Sequence, residues 1–463
     1  MSELLAAADP AAAPVVPLTR TNTLARLTAT AFLAHRESGA CSALDYARAC
    51  ADRIEQLDPG LGAWKHFERD VLEARARRAD DRFAQGERKP LCGVPVGVKD
   101  IFNTYDMPTG MGSPILDGYT PGNDARVVSN VRLEGGLVAG KTVTAEFAVH
   151  HPSGTRNPHD LARTPGTSSS GSAAAVAARM VPLAFASQTG GSTIRPASYC
   201  GIYGYKPSFG LLPRTGSLKT TDTLDTVGLM ARSVDDLALL FEVTRVRGRN
   251  YPVSDAALSD QARQSVAGRR WRVGVVRGPK SSGEAAAPLT ALERVAAALS
   301  RAGIEVGDYT LPAAFDTAHD IHETIYRRAL AYYFKTEWQS QDGLFSDRLR
   351  RMIEGGLTLP VESYHQACAR QTGLARLFDS EMGDRDVLIG LATADEAPAG
   401  LDAPEPDDHS LIWTLCGAPA LSVPLLAGTG GLPVGVQIVA RRFNDYLLLG
   451  FARRLVEIAG GAA

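Results

Sequence analysis

Short runs of β-branched and aliphatic residues alternate with helically spaced stretches along nearly the whole chain. That alternation restricts the fold to the α/β class. Strands are expected in "LCGVPVGVKDIF", "LVAGKT", "RRWRVGVVRG" near 270–278, "IEVGDYTL", "DVLIG", "PALSVPLL" and "GLPVGVQIVA". Between them lie helical stretches: 23–56 with a stop at "DPG" (58–60), "VLEARARRADDRFAQG", "DARVVSNVRLEGG", "LTALERVAAALSRAG", most of 318–380, and a closing "DYLLLGFARRLVEIAG". The polar segment 245–268 reads as a surface connection, and no internal repeat is evident.

With 463 residues, 44% hydrophobic and 22% charged, the chain has enough apolar residue for a large core, and one wide sheet can hold it. The net charge is −2 with no basic block, which argues against nucleic acid as a partner. Six cysteines (Cys41, Cys50, Cys92, Cys200, Cys368, Cys416) show no C-x-x-C spacing and read as free thiols of a reducing compartment. Residues 1–20 are Ala/Pro-rich, lack a basic stretch and a continuous apolar core, and read as a loosely ordered tail rather than a signal peptide. No apolar run reaches the roughly 18 residues of a membrane span. A soluble, cytoplasmic protein without a membrane partner is expected.

Several catalytic patterns are weak or absent. Residues 135–142, "GGLVAGKT", fit the phosphate-binding G-x-x-x-x-G-K-[ST] pattern. That loop should follow a strand and open a helix, whereas here a helix precedes it and "LVAG" is itself strand-like. His319 and His322, with Glu323 adjacent, sit three apart on an expected helix with no third ligand signalled, and His150 and His151 are loop neighbours; all four histidines read as solvated, and no metal is expected. No G-x-S-x-G or S-x-x-K pattern occurs.

The serines are more informative. "TPGTSSSGSAAAVAARM" (164–180) runs from a Gly/Ser turn into an alanine-rich stretch, so it opens a buried helix instead of forming a linker. A second glycine pair precedes Ser192 in "SQTGGSTIRP". Gly-Gly before a serine lets backbone N–H groups converge on one point, as an oxyanion hole requires. Lys99 ends the apolar, glycine-lined "GVPVGVKD"; desolvation there disfavours its charged form and makes it a candidate base.

The ordered set "GVPVGVKD … AGKTVTAEFA … RTPGTSSSGSAAAVAAR … SQTGGSTIRPASYCGIYGYKPS … GLPVGVQIVA" resembles the amidase signature family over nearly the whole chain. The resemblance implies a large mixed twisted sheet between helical layers, a single domain over 21–463 and a signature core at about 90–235. It implies a Ser–cis-Ser–Lys triad of Lys99, Ser168 and Ser192, with a cis peptide at Thr167–Ser168. An oxyanion hole at Thr189, Gly190 and Gly191, with the Ser192 N–H, goes with it. No cofactor or metal is implied. Three departures stand out: Thr167 and Ser170 replace glycines, Gln188 replaces an acid, and Ile194 stands where an arginine is usual, with Arg195 one place later. An acid and a base then leave together, which avoids one buried unpaired charge.

The leading functional expectation is a hydrolase of carboxamide C–N bonds working through a serine acyl-enzyme, with carbamates, ureas and esters left open. The alternative is the glutaminase subunit of a tRNA-dependent amidotransferase; a nucleotide-binding protein using 135–142 is the competitor from another class. A small-molecule amide is the expected partner, and a homodimer is left open. Pocket walls are expected from "YDMPTGMGSP", 318–340 and the region near Trp413. Tyr326, Tyr332, Tyr333 and Phe334 are candidates for an acyl pocket or for core.

Overall fold

Every residue of Pro95–Lys99 and Leu137–Thr142 is buried, which is why both runs open on consecutive aliphatic residues and glycine instead of alternating with polar ones: both faces are covered. The computed structural model describes residues 23–149, 152–248, 250–278, 283–403 and 410–460. Its strands are β1 (Trp64–Phe67), β2 (Pro95–Lys99), β3 (Leu137–Thr142), β4 (Leu183–Gln188), β5 (Tyr203–Lys206), β6 (Thr226–Ala231), β7 (Arg272–Val276), β8 (Glu305–Tyr309), β9 (Val387–Leu391), β10 (Ala420–Ala427) and β11 (Pro433–Ala440). They form one 11-stranded sheet in the order β1-β3-β2-β4-β6-β5-β10-β11-β9-β7-β8.

The sheet is mixed. β3, β2 and β4 run parallel, as do β9, β7 and β8, while the strands from β4 through β6, β5, β10 and β11 to β9 pair antiparallel. The α/β class expected from the alternation is therefore observed, and the strands foreseen at β2, β3 and β7 to β11 are present.

Two local expectations are corrected. The helical stretch 23–56 contains two helices, Ala29–Glu37 and Ala43–Leu61, the second opened by a capping box between Ser42 and Asp45. "DPG" does not stop it. Pro59 falls in its last turn, and the chain leaves at Gly62, whose φ of 62° suits a residue without Cβ. The connection 245–268 carries two short helices, Pro252–Ser259 and Gln261–Gln264. The tail at 1–20 and the pair His150 and His151 lie outside the described residues.

The cysteines Cys41, Cys50, Cys92, Cys200, Cys368 and Cys416 are free. Among the described residues no helix is long and apolar enough to cross a membrane.

Candidate active site

Because β2, β3 and β4 are parallel, their carboxyl ends open at one edge of the sheet, where α/β folds place their ligands. Lys99 is the last residue of β2 and Gln188 the last of β4. The Lys99 side chain is buried, and its Nζ lies 2.7 Å from Ser168 Oγ, 2.9 Å from Ser169 Oγ and 2.8 Å from Ser187 Oγ. Burial drives its pKa well below the usual lysine value, and the charge of Asp225 opposes that only in part.

Two other lysines are buried without any such chemistry. Lys206, pushed down to about 7 by burial, bonds to the carbonyls of Pro207 and Ala418. Lys141, the lysine of the "GGLVAGKT" pattern, pairs with Asp100 Oδ1 at 3.0 Å and donates to Phe102 O and Thr109 Oγ1. It lies inside β3, with no helix opening behind it. The phosphate-loop reading fails because this lysine is fully occupied in the core.

Ser168 and Ser169 form the entry to the helix Ser170–Ala177. Close approach explains the glycine within it: a Cβ on Gly171 would lie 2.3 Å from Val143 N and 2.4 Å from Ala63 O. Thr144 Oγ1 donates to Ser168 O at 3.0 Å, and Ser172 Oγ donates to Phe185 O at 2.7 Å, tying the turn to the end of β3 and to β4. The expected cis bond at Thr167–Ser168 is not present; no cis peptide occurs among the described residues. A non-proline cis bond costs about 3–4 kcal/mol, and here the trans chain already brings Ser168 Oγ against Lys99 Nζ.

The turn at 189–192 joins β4 to the helix Ile194–Tyr199. The half-buried Ser192 makes no side-chain hydrogen bond among the described residues, so the structure brings Lys99 and Ser168 together but leaves Ser192 unlinked to them. The N–H groups of Thr189, Gly190, Gly191 and Ser192 have no backbone partner among the described residues either, which leaves four donors available to an external acceptor.

Everything around those donors is tied down. Gln188 Oε1 accepts from the N–H groups of Thr193 and Ile194 at 2.8 and 3.0 Å, and its Nε2 donates to Thr414 Oγ1 at 3.0 Å. Thr189 Oγ1 donates to Asp225 Oδ1 at 2.9 Å, and Asp225 also accepts the N–H groups of Thr220 and Thr221. His322 Nε2 lies 2.7 Å from Thr189 O, and Thr414 Oγ1 donates to Gly190 O at 2.7 Å.

Several expectations change here. Gln188, which replaces an acid, is fully buried and holds the turn from behind. Arg195, one place after Ile194, is itself buried and has an interaction partner. His322 is not solvated but 5% exposed, since its ring serves the Thr189 carbonyl. Trp413 packs in the core against Phe378 at 5.3 Å, while its neighbour Thr414 reaches the turn. Tyr326 and Phe334 are core, whereas Tyr332 is exposed and Tyr333 bonds Asp222 beside a separate groove. Sequence reasoning does not find Ser169, Ser187, Gln188, Thr414 and His322 as site-building residues. The serines adjoin the quoted motifs, but nothing in the sequence points from His322 or Thr414 to a turn 133 and 224 residues away.

An α/β scaffold with a depressed lysine among serines, beside a glycine turn of open N–H donors, defines a hydrolase of the amidase type. The chain belongs to the amidase signature family: residues 45–449 match the family model described as Amidase. It is 35% identical to a subunit of the glutamyl-tRNA(Gln) amidotransferase of Anaeromyxobacter sp. (strain K), over 92% of this chain and 96% of that protein. Among solved structures it is similar to the peptide amidase of Stenotrophomonas maltophilia (TM-score 0.81, 27% identity, 95% of this chain and 98% of the other). It is also similar to a chain from an inhibitor-bound complex described as revealing the evolutionary origins of an s-triazine catabolic enzyme (TM-score 0.83, 27% identity, 94% and 99%).

The expectation of a small-molecule partner with nucleic acid excluded is overturned by these relatives, whose name joins a tRNA to an amidotransferase of several subunits. A net charge of −2 bounds only what this chain's own surface can attract; it says nothing about a reaction shared with other subunits.

Proposed function

We propose that this chain hydrolyses carboxamide C–N bonds through an acyl-enzyme on Ser192, and that it does so as the glutamine-hydrolysing subunit of a tRNA-dependent amidotransferase. The chemistry rests on one observation: a buried, pKa-depressed Lys99 within 2.9 Å of three serine hydroxyls. The assignment to an amidotransferase is supported by full-length relatives carrying that name.

A neutral amine donates two hydrogen bonds and accepts one. Ser169 Oγ lies 3.3 Å from Ser187 O, where it donates, so its lone pair faces Lys99. Ser168 is then placed to give its proton to Lys99 and to take one from Ser192 as that hydroxyl attacks the amide carbon. The developing oxyanion is received by the open N–H groups of the 189–192 turn. The proton returns through Ser168 to the leaving nitrogen, which departs as ammonia from a primary amide. Water then repeats the sequence on the ester, releasing the acid and restoring Ser192. The Ser168–Ser192 contact forms when the amide is bound, since catalytic hydrogen bonds commonly tighten only in the complex.

A stand-alone carboxamide hydrolase is the second reading. The likeness to the peptide amidase of Stenotrophomonas maltophilia supports it. Treatment with a fluorophosphonate followed by peptide mapping is expected to place the adduct on Ser192. Ammonia release from L-glutamine, from peptide C-terminal amides and from aryl amides is then compared, with and without co-expressed partner subunits. Glutamine hydrolysis that rises with the partners is the expected result. Turnover of the other amides with none of glutamine would remove the amidotransferase reading and leave the hydrolase. Labelling at Ser168 or Ser169 with Ser192 untouched would remove the acyl-enzyme assignment.

A further inference from the structure

The donors of the 189–192 turn belong to peptide groups whose opposite ends are held. In a trans peptide the C=O and the following N–H point in opposite directions. Thr189 O and Gly190 N–H share one peptide; Gly190 O and Gly191 N–H share the next. His322 Nε2 lies 2.7 Å from the first carbonyl, and Thr414 Oγ1 donates to the second at 2.7 Å. Both N–H groups are thereby turned away from these partners and are without a backbone acceptor among the described residues.

A fixing device is needed here because the two residues are glycines, whose backbone rotates through conformations closed to other residues. A flipped peptide would present a carbonyl where the site needs a donor. A carbonyl oxygen only accepts, so the His322 ring must carry its hydrogen on Nε2. The ring is buried against Gly190: a Cβ there would meet His322 Cε1 and Nε2 at 3.9 Å. Thr414 Oγ1 accepts from Gln188 Nε2 at 3.0 Å, and of the two carbonyls within reach of its one proton Gly190 O, at 2.7 Å, is closer than Ser410 O at 3.0 Å.

We propose that His322 and Thr414 are positioning residues that lock the Thr189–Gly190 and Gly190–Gly191 peptides, so that the Gly190 and Gly191 N–H groups receive the tetrahedral oxyanion. This rests on the acyl-enzyme reading above. Neither side chain takes part in the proton relay. Their effect belongs to the transition state, where the oxyanion exists, and not to binding of the planar amide.

The test uses the full chain, a fluorophosphonate that phosphonylates Ser192, and an amide that the wild type hydrolyses. His322→Leu keeps an apolar side chain of moderate size and removes the donor; His322→Gln keeps an N–H able to reach the same carbonyl. Thr414→Val and Thr414→Ser form the matching pair. In His322→Leu the phosphonylation rate and kcat are expected to fall about 10–100-fold with KM unchanged, the scale of a misplaced oxyanion donor. His322→Gln should recover most of that loss, and Thr414→Ser should outperform Thr414→Val. The Thr414 pair carries the test if His322→Leu does not fold. Wild-type labelling rates in both His322→Leu and Thr414→Val would overturn the proposal. So would a raised KM at unchanged kcat, which marks a substrate contact, or a His322→Gln as impaired as His322→Leu. A wild type not labelled at Ser192 would overturn the acyl-enzyme reading itself, and this inference with it.

Discussion

Replacing Lys99 by arginine is expected to abolish amide hydrolysis, with kcat falling by about 10²–10⁴-fold, the range that a positioned base contributes. Arginine keeps a positive charge at this position but cannot release it, so it cannot accept the Ser168 proton. Lys99→Met should be equally inactive. In the wild type, burial already holds Lys99 well below the usual lysine value, so activity should rise with pH as the amine loses its proton and then level off. The same shift has a sign in stability. Between the lowered folded value and the roughly 10.4 of an unfolded lysine, the unfolded chain binds the proton and the folded chain does not. Wild-type stability relative to Lys99→Met should therefore improve as pH rises through that window. Kinetics across pH on all three proteins, with denaturant titrations of the wild type and Lys99→Met at two pH values, checks both effects. Near wild-type turnover by Lys99→Arg would reduce the lysine to a fixed charge and end the relay.

Residues whose chemistry is carried by their neighbours are legible from the sequence. Lys99 announces itself through "GVPVGVKD", because an apolar, glycine-lined strand end can only bury it, and the buried Nζ beside Ser168 follows. The glycine pair before Ser192 likewise announces a turn of open N–H groups. What cannot be read depends on pairing across the sheet. β5 and β6 are glycine-bearing and short, and β6 intervenes between β4 and β5, an order that no local pattern encodes. His322 misleads because histidine on a half-polar helix is usually solvated; its partner is a carbonyl contributed from 133 residues away. Gln188 misleads for the same reason. Its identity is visible as a departure from a pattern, but its direction is set by Thr193, Ile194 and Thr414, so it stabilises the turn and leaves substrate choice to other residues. Pro59 shows the limit of local rules in the other direction. A proline in the last turn forgoes one intrahelical bond, yet Gly62 N still donates to Asp58 O at 2.8 Å and the helix closes past it.

The largest stability effect is expected from Lys141→Met. Lys141 and Asp100 are both buried, 3.0 Å apart, and they connect β3, an outer strand of the parallel trio, to the segment that directly follows Lys99. Burial lowers the Lys141 pKa and raises that of Asp100, and each charge holds the other partly back. Removing the cation leaves a carboxylate in the core with only the Gly110 N–H at 3.2 Å; it also takes the donor from the Pro108 carbonyl and leaves Phe102 O with only the long 3.5 Å bond from Thr109 Oγ1. Breaking one side of such a pair typically costs about 3–5 kcal/mol. The double variant Lys141→Met with Asp100→Leu removes the stranded charge and should recover part of that loss. It cannot recover all of it, because Pro108 O stays without its donor and Phe102 O keeps only the 3.5 Å bond from Thr109 Oγ1. Activity should fall in the single variant as well, since Asp100 N donates to Thr142 O at 2.9 Å and so fixes the exit of β2 that aims Lys99. Denaturant midpoints for the wild type, the two single variants and the double variant measure the coupling directly. A Lys141→Met protein that unfolds at the wild-type midpoint would mean that the pair is not what holds β2 and β3 in register at the site.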